Sequence, residues 1–257
     1  CDRLAGMQPG SGGTLPMLRL RMAPRRWYEL HKSGYLNEWE AAVLLTDSGA
    51  VTGRIRIHGS ATRIFPKKSF KLALVDSSAH QRYGAPTTVI SGQQPDRSFC
   101  RYRLADWFFR RTSLMCPDIR PVELYVNGRY EGLYLEREPV DEHFMRRRRL
   151  PLCSLYKPYQ GARFSFRHGM LASNGWSKKV PDDDMSYTDL ERLIVVLDKG
   201  VDESSLEEID ELLDIRGMLE YYAVSQLISH RDGIVKNYYL YFNPRAKVFQ
   251  FIPWDLD

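Results

Sequence analysis

Cysteine is scarce in this chain and badly spaced for any structural role. Cys1, Cys100, Cys116 and Cys153 include no CxxC and no Cys/His pair at zinc-ligand spacing. With Cys1 set apart an odd number remains, which excludes an even disulfide framework. Cys100 and Cys116 can pair only if the fold brings them together; reduced, half-buried thiols are the simpler expectation. Long apolar runs are missing too, so no transmembrane span is expected. No internal repeat or low-complexity array is visible. RNP-like, zinc-finger and recognition-helix patterns are absent, so the net charge of +5 is not read as nucleic-acid binding. The P-loop pattern GxxxxGK[ST] does not occur, and neither does GxGxxG.

What is present is ordinary in bulk. The 257 residues, 43% hydrophobic and 27% charged, are enough for one large domain or two small ones with a sizeable core. Much of the positive balance is local, in the run Arg146-Arg147-Arg148-Arg149. That run reads as a solvated loop or helix end, with a docking patch for an acidic substrate or a membrane as the alternative. Residues 1–15, rich in Gly, Pro and small polar groups, read as a flexible tether. A mature bacterial lipoprotein begins with a lipidated cysteine and such a tether. Membrane anchoring through Cys1 is therefore one expectation, and an arbitrary fragment boundary is the other.

Periodicity predicts strands first and helices second, an α+β order. Residues 17–22 alternate as a strand, a short helix follows near 26–32, and another segment lies near 38–46. Residues 51–75 read as strand–loop–strand, antiparallel, with Ile55 and Ile57 opposed to Arg54 and Arg56. Residues 96–111 are expected as a helix capped by Asp96. Asn127-Gly128 supplies the positive φ angles for a hairpin over 121–138. A strand near Leu155, helices over 187–198, 204–213 and 214–229 (the last capped by Asp214), and strands over 238–242 and 248–252 complete the pattern.

Three stretches carry chemistry. His230-Arg231-Asp232, followed four residues later by Asn237, matches H-R-D-x-x-x-x-N, the catalytic loop of protein kinases. Between a helix and a strand, Asp232 can orient or deprotonate a hydroxyl. Asn237 can offer an amide oxygen to a metal ion, and Lys236 can steady a phosphate. Asp and Asn are also common turn residues, which is the plainer reading. Second, FIPWDLD puts Asp255 and Asp257 after a short hairpin, where one or both can bind Mg²⁺; a surface turn or an Arg partner is the alternative. Third, Gly59-Ser60 and Phe65-Pro66-Lys67-Lys68-Ser69-Phe70-Lys71 join a Gly/Ser loop to lysines suited to phosphates. Strand parity separates Lys67, Ser69 and Lys71 from Lys68, Phe70 and Leu72. A basic strand edge that resists aggregation is the alternative here.

Taken together, RIRIHGSATRIFPKKSFKLAL, DRSFCRYRLADWFF, VELYVNGRYEGLYLEREPVDEHF, SLYKP, LEYYAVSQLISHRDGIVKNYYLYFNP and FQFIPWDLD resemble the CotH kinase family, named for spore coat protein H, over about residues 50–257. The resemblance implies an atypical, secreted or surface-associated kinase that uses ATP and Mg²⁺ or Mn²⁺ to phosphorylate Ser/Thr of envelope or coat proteins. It implies a two-lobed kinase-like fold, with an antiparallel β-rich N-lobe near 16–140 and a helical C-lobe near 141–257. That C-lobe would stop short after the WDxD block. By position, Asp232 would be catalytic, Asn237 and Asp255 metal ligands, and Lys68, then Lys71, the ATP lysine. Ser60 would border the phosphates. Tyr134 to Glu138 would lie near the adenine hinge, with Glu136 or Glu138 standing in for the helix Glu that ordinary kinases pair with that lysine. The competing expectations are a catalytically inactive nucleotide- or protein-binding pseudokinase module at the cell surface, and transfer of a nucleotidyl group at the same metal site.

Overall fold

A computed structural model describes residues 15–32, 38–59, 61–75, 85–96, 98–159, 162–164, 175–181, 184, 186–200 and 202–256. Cys1, Ser60, Asp257 and nearly all of the expected tether lie outside these residues. The described chain forms two compact units.

The first unit takes the described residues before position 76, together with Pro86–Gln94 and Ile119–Arg137. It contains β1 (Met17–Arg21), α1 (Pro24–Lys32), β2 (Glu40–Thr46), β3 (Gly49–His58), β4 (Ser69–Leu74), β5 (Thr87–Ser91), β6 (Ile119–Val126) and β7 (Arg129–Arg137). The strands close into a barrel in the order β1-β2-β3-β4-β5-β7-β6. Every pairing is antiparallel except β1 with β6, which closes the barrel. The alternation expected for residues 51–75 is the one that builds the interior. Ile55, Ile57, Phe70 and Leu72 all point into the core beside Leu20, Leu44, Leu124 and Tyr134. Each such side chain stabilises the fold by about 1.5–3 kcal/mol when buried. Because side-chain direction has a period of two, the same strands send Arg54, Arg56 and Lys71 outward. α1 lays Trp27 and Leu30 on this core, with the Trp27 ring 5.1 Å from Phe70. Asn127 and Gly128 form the hairpin turn at φ 53° and 81°, and the Asn127 side chain accepts from the Met22 N–H.

The second unit takes Ala85, Pro95–Asp118 and the described residues from Glu138 onward. Residues 95–118, which the expected lobes place in the first, thus belong here. Its elements are α2 (Arg101–Phe109), α3 (Glu142–Arg147), β8 (Leu155–Pro158), β9 (Trp176–Val180), α4 (Thr188–Asp198), α5 (Glu203–Asp210), α6 (Ile215–Leu227), β10 (Tyr238–Asn243) and β11 (Val248–Pro253). The sheet order is β11-β10-β8-β9. Phe144, Leu155, Tyr239, Ile252 and Trp254 form its core. A second aromatic column stacks Phe109 of α2, Tyr221 of α6 and Phe251 of β11, with centroids 5.5 and 5.1 Å apart.

Two local expectations need correction. The helix expected over 96–111 starts at Arg101, with Cys100 at its cap. Asp96 instead closes a turn, accepting from the Ser98 N–H and hydroxyl, and reaches ahead to the Arg101 N–H. This local side-chain bonding competes with helix, and Phe99 at φ 58° marks the break. The arginine run is not wholly solvated either. Arg147 and Arg148 both bind Glu138, which is 1% exposed, and Arg147 also binds Asp118. By contrast, Asp214 caps α6 as expected, accepting from the Gly217 N–H at 2.9 Å. Cys100, Cys116 and Cys153 are free; burial pushes the Cys116 thiol up to about 12.

Candidate functional site

The second unit brings Asp232, Asn237 and Asp255 onto one structure. After α6 the chain makes a left-handed step at Ser229, φ 55°, then a 3-10 turn over Arg231–Gly233. The Asp232 carbonyl accepts from the N–H groups of Val235, Lys236 and Asn237, so the loop is tied around the backbone of that residue. Its side chain is 55% exposed, and its carboxylate pairs with Lys236 Nζ at 2.9 Å. Gly233 has a steric reason: a Cβ there would run into the His230 ring.

Asn237 immediately precedes β10 and is buried. Its Nδ2 donates to the Asp255 carbonyl at 3.0 Å, while its own carbonyl accepts from the Trp254 N–H. β10 and β11 pair in register from Tyr238–Pro253 to Asn243–Val248, which carries Asp255 back to the loop. Asp255 sits at φ 54°, a conformation that costs a non-glycine residue about 1–3 kcal/mol and persists where surrounding bonds enforce it. Here the Asn237 amide is such a bond.

Underneath lie Tyr221, which was not singled out from sequence, and His230, which was named there only as the first residue of the H-R-D match. Tyr221 of α6 is buried, and its hydroxyl donates toward the carbonyls of Gly233 and Asn237, 2.7 and 3.1 Å away, pinning both ends of the loop. Burial raises its pKa, so it remains a neutral donor. The signal for it was in the sequence: Gly217, Tyr221 and Ser225, four apart, are the buried stripe of α6. His230 is 6% exposed, and burial pushes its imidazole below the ordinary value, against the opposing pull of Asp255 and then Asp232.

The remaining candidates lie in the barrel unit. Lys68 is 4% exposed, and its Nζ donates to the Arg63 carbonyl. Lys71 is half-buried on the outer face of β4, opposite Arg56. Glu136 is fully buried and is held by Arg120 and Thr88. Ser60 lies outside the described residues. A lysine not selected from sequence, Lys67, donates to the Leu133 carbonyl and lies 4.6 Å from the Tyr134 ring centre; burial lowers its pKa to about 8.

Among the described residues no helix is long and apolar enough to cross a membrane. Nor, among these described residues, does any group of three or more His, Cys, Asp or Glu gather at metal-binding range.

A carboxylate loop followed by a hairpin that returns a strained aspartate to it is a recognisable arrangement, and comparison with known proteins gives it a family. The family model described as CotH kinase protein matches residues 55–257. The chain is 28% identical over 252 residues to inner spore coat protein H of Bacillus subtilis (strain 168), an alignment covering 95% of this chain and 68% of that one. The chain belongs to the CotH family.

Proposed function

We propose that this chain is a metal-dependent protein kinase of the two-lobed, atypical kind, which moves the γ-phosphoryl group of ATP to Ser/Thr hydroxyls of coat or envelope proteins. The observation that carries this reading is the tie between Asn237 and the backbone of Asp255 beside Asp232. The coat or envelope setting rests on the name of the Bacillus relative.

In this reading Asp232 accepts the proton of the acceptor hydroxyl as its oxygen bonds to the γ-phosphorus. The bond from that phosphorus to the bridging oxygen breaks, and ADP leaves. Lys236, already at 2.9 Å from Asp232, balances charge beside the transferring group. The donor set of one carboxylate (Asp255) and one amide oxygen (Asn237) is hard and oxygen-only, which fits Mg²⁺ or Mn²⁺. Such ions take one or two protein ligands and complete their shell with phosphate oxygens and water. The metal would supply charge neutralisation at the phosphates. The Asn237 Nδ2 is committed to Asp255, which leaves its oxygen as the ligand atom. For the ATP lysine, in the barrel unit, Lys68 is the first choice and Lys71 the second.

The test is incubation with γ-labelled ATP and Mg²⁺ or Mn²⁺ with a generic acceptor protein, beside Asp232→Asn. Metal-dependent label that vanishes in the variant supports the reading, and equal label removes Asp232 as base. ATP binding without label in either protein turns the chain into a binding module. An intact-mass gain of about 80 Da identifies phosphate rather than a nucleotide. Comparing ATP binding by Lys68→Ala and Lys71→Ala selects the lysine.

A further inference from the structure

The outer face of the barrel unit gathers cations around one aromatic ring. Trp39 stands just before β2. Its indole lies 4.8 Å from the Arg54 guanidinium and 5.0 Å from that of Arg56, both on β3. On the next strand, Lys71 of β4 is the register partner of Arg56. Arg63, from the 3-10 turn Ala61–Ile64, adds a fourth positive charge that acts on Arg56.

This concentration works against folding. Like charges directly opposite in an antiparallel pair repel. Burial first, and the Arg63 charge second, hold the Arg56 guanidinium below its ordinary value. The carboxylates beside Trp39 in the chain serve another cation. Glu40 pairs with Arg26 of α1 at 3.6 Å, and Glu38 acts on the same guanidinium. An anion brought to the Trp39 face would relieve the repulsion.

We infer that Trp39, Arg54 and Arg56 hold a phosphate ester carried by a polypeptide, a phosphoserine or phosphothreonine. A guanidinium is a planar fork that matches phosphate oxygens two at a time. A phosphoryl group offers three oxygens and nearly two charges to the two forks, where a carboxylate offers two oxygens and one charge. A continuous nucleic-acid backbone would meet Glu38 and Glu40 at the border of the patch, which a single phosphate avoids. Register also sets the indole on the β2 side of Arg56, away from Lys71, so the patch extends beyond the lysine considered for ATP. If the chain makes such esters, this site retains a polypeptide after one transfer and presents its next serine. That link rests on the kinase reading; the binding itself needs neither ATP nor turnover.

The experiment uses the whole chain and three fluorescein-labelled peptides of one otherwise neutral sequence with two serines. One is unmodified, one has its first serine phosphorylated, and one has glutamate there. In fluorescence anisotropy without nucleotide, the phosphopeptide should bind at least about tenfold tighter than either twin. Arg54→Gln should weaken that binding about tenfold, and Arg54→Lys should recover only part of it, because the fork matters beyond its charge. Arg54 is exposed, so both variants should melt like the parent, and both should bind Mg-ATP as the parent does. Equal binding of the three peptides, or phosphopeptide binding unchanged in Arg54→Gln, would overturn the inference. So would loss of ATP binding in Arg54→Gln, which would give the patch to the nucleotide. Tighter and equally variant-sensitive binding of a short single-stranded oligonucleotide would also overturn it. With γ-labelled ATP, the second serine of the phosphopeptide should be labelled at a lower KM than the unmodified peptide, and Arg54→Gln should abolish that difference with kcat in place. Variant-sensitive binding with no transfer in the parent chain would keep the patch and reject the kinase reading. Transfer without any preference for the phosphopeptide in binding would do the reverse.

Discussion

Two carboxylates of the second unit, Glu138 and Asp232, show how the same chemical group is put to opposite uses. Glu138 is 1% exposed and saturated. It binds Arg147 and Arg148, and it accepts from the Asp118 N–H at 2.9 Å. Asp118 extends the network to Arg110 and Arg147. Asp232 is 55% exposed with one lysine partner, and its neighbourhood holds backbone at positive φ on both sides, Ser229 and Asp255. A buried carboxylate whose acceptors are all filled has no capacity left for chemistry. An open carboxylate next to strained backbone has capacity and contributes little to stability. Stability and reactivity are thus separable within one unit, and substitution should separate them.

The largest expected effect falls on the open side. Asp232→Asn should lower phosphate transfer by about 10²–10⁴-fold, the usual share of a general base. Its melting curve should barely move, since an exposed ion pair is worth about 0–1 kcal/mol. A large loss of stability in this variant would break the contrast. Next comes Glu138→Ala, which strands two arginines and a backbone N–H. Urea unfolding should report a loss of about 3–5 kcal/mol, with Glu138→Gln losing less. An unaltered midpoint would mean that the arginines find water at no cost.

Asp255→Gly sharpens the comparison from the middle. Glycine accepts φ 54° without strain, and this relief offsets the extra freedom of the unfolded chain. Stability should change by less than about 1 kcal/mol while metal-dependent ATP binding and transfer are lost. A variant that binds ATP with metal as the parent does would remove Asp255 from the metal site.

The smallest effect concerns a half-buried cation in the barrel. Burial lowers Lys67 from 10.5 to about 8. Between those values the unfolded chain binds more protons than the folded one, so stability should rise with pH there, and below pH 8 the penalty is complete. Replacing Lys67 by Met should flatten that rise by on the order of 1 kcal/mol, after allowing for solvent screening. Equal slopes in the two proteins, measured by thermal melts from pH 7 to pH 10.5, would show that the lysine is well hydrated.

Much of this was legible in the residues. Strand parity sorted Ile55 and Ile57 from Arg54 and Arg56, and the hairpin turn followed from Asn127-Gly128. The Asp214 cap and the α+β order were readable by the same local rules. Errors came where a side chain chose a distant or unusual partner. Asp96 bonded into a turn instead of capping a helix, and Arg147 and Arg148 turned toward Glu138. β5, β9 and α3 were not anticipated; Asp141, which caps α3 by accepting from the His143 N–H, was the missed local signal.

By itself the sequence determined the periodic elements, the family and the residue types of the candidate site, because these depend on chain-local geometry and on spaced motifs. Only the tertiary structure decided that β1 closes a barrel on β6, that Tyr221 pins the Asp232 loop, that Asn237 holds Asp255 at positive φ, and that Arg54 and Arg56 share the Trp39 ring. The reason is physical: each of these joins groups far apart in the chain. Such pairings form only once burial has made an unsatisfied polar group or an uncovered apolar side chain costly enough to be answered by whatever the fold brings near.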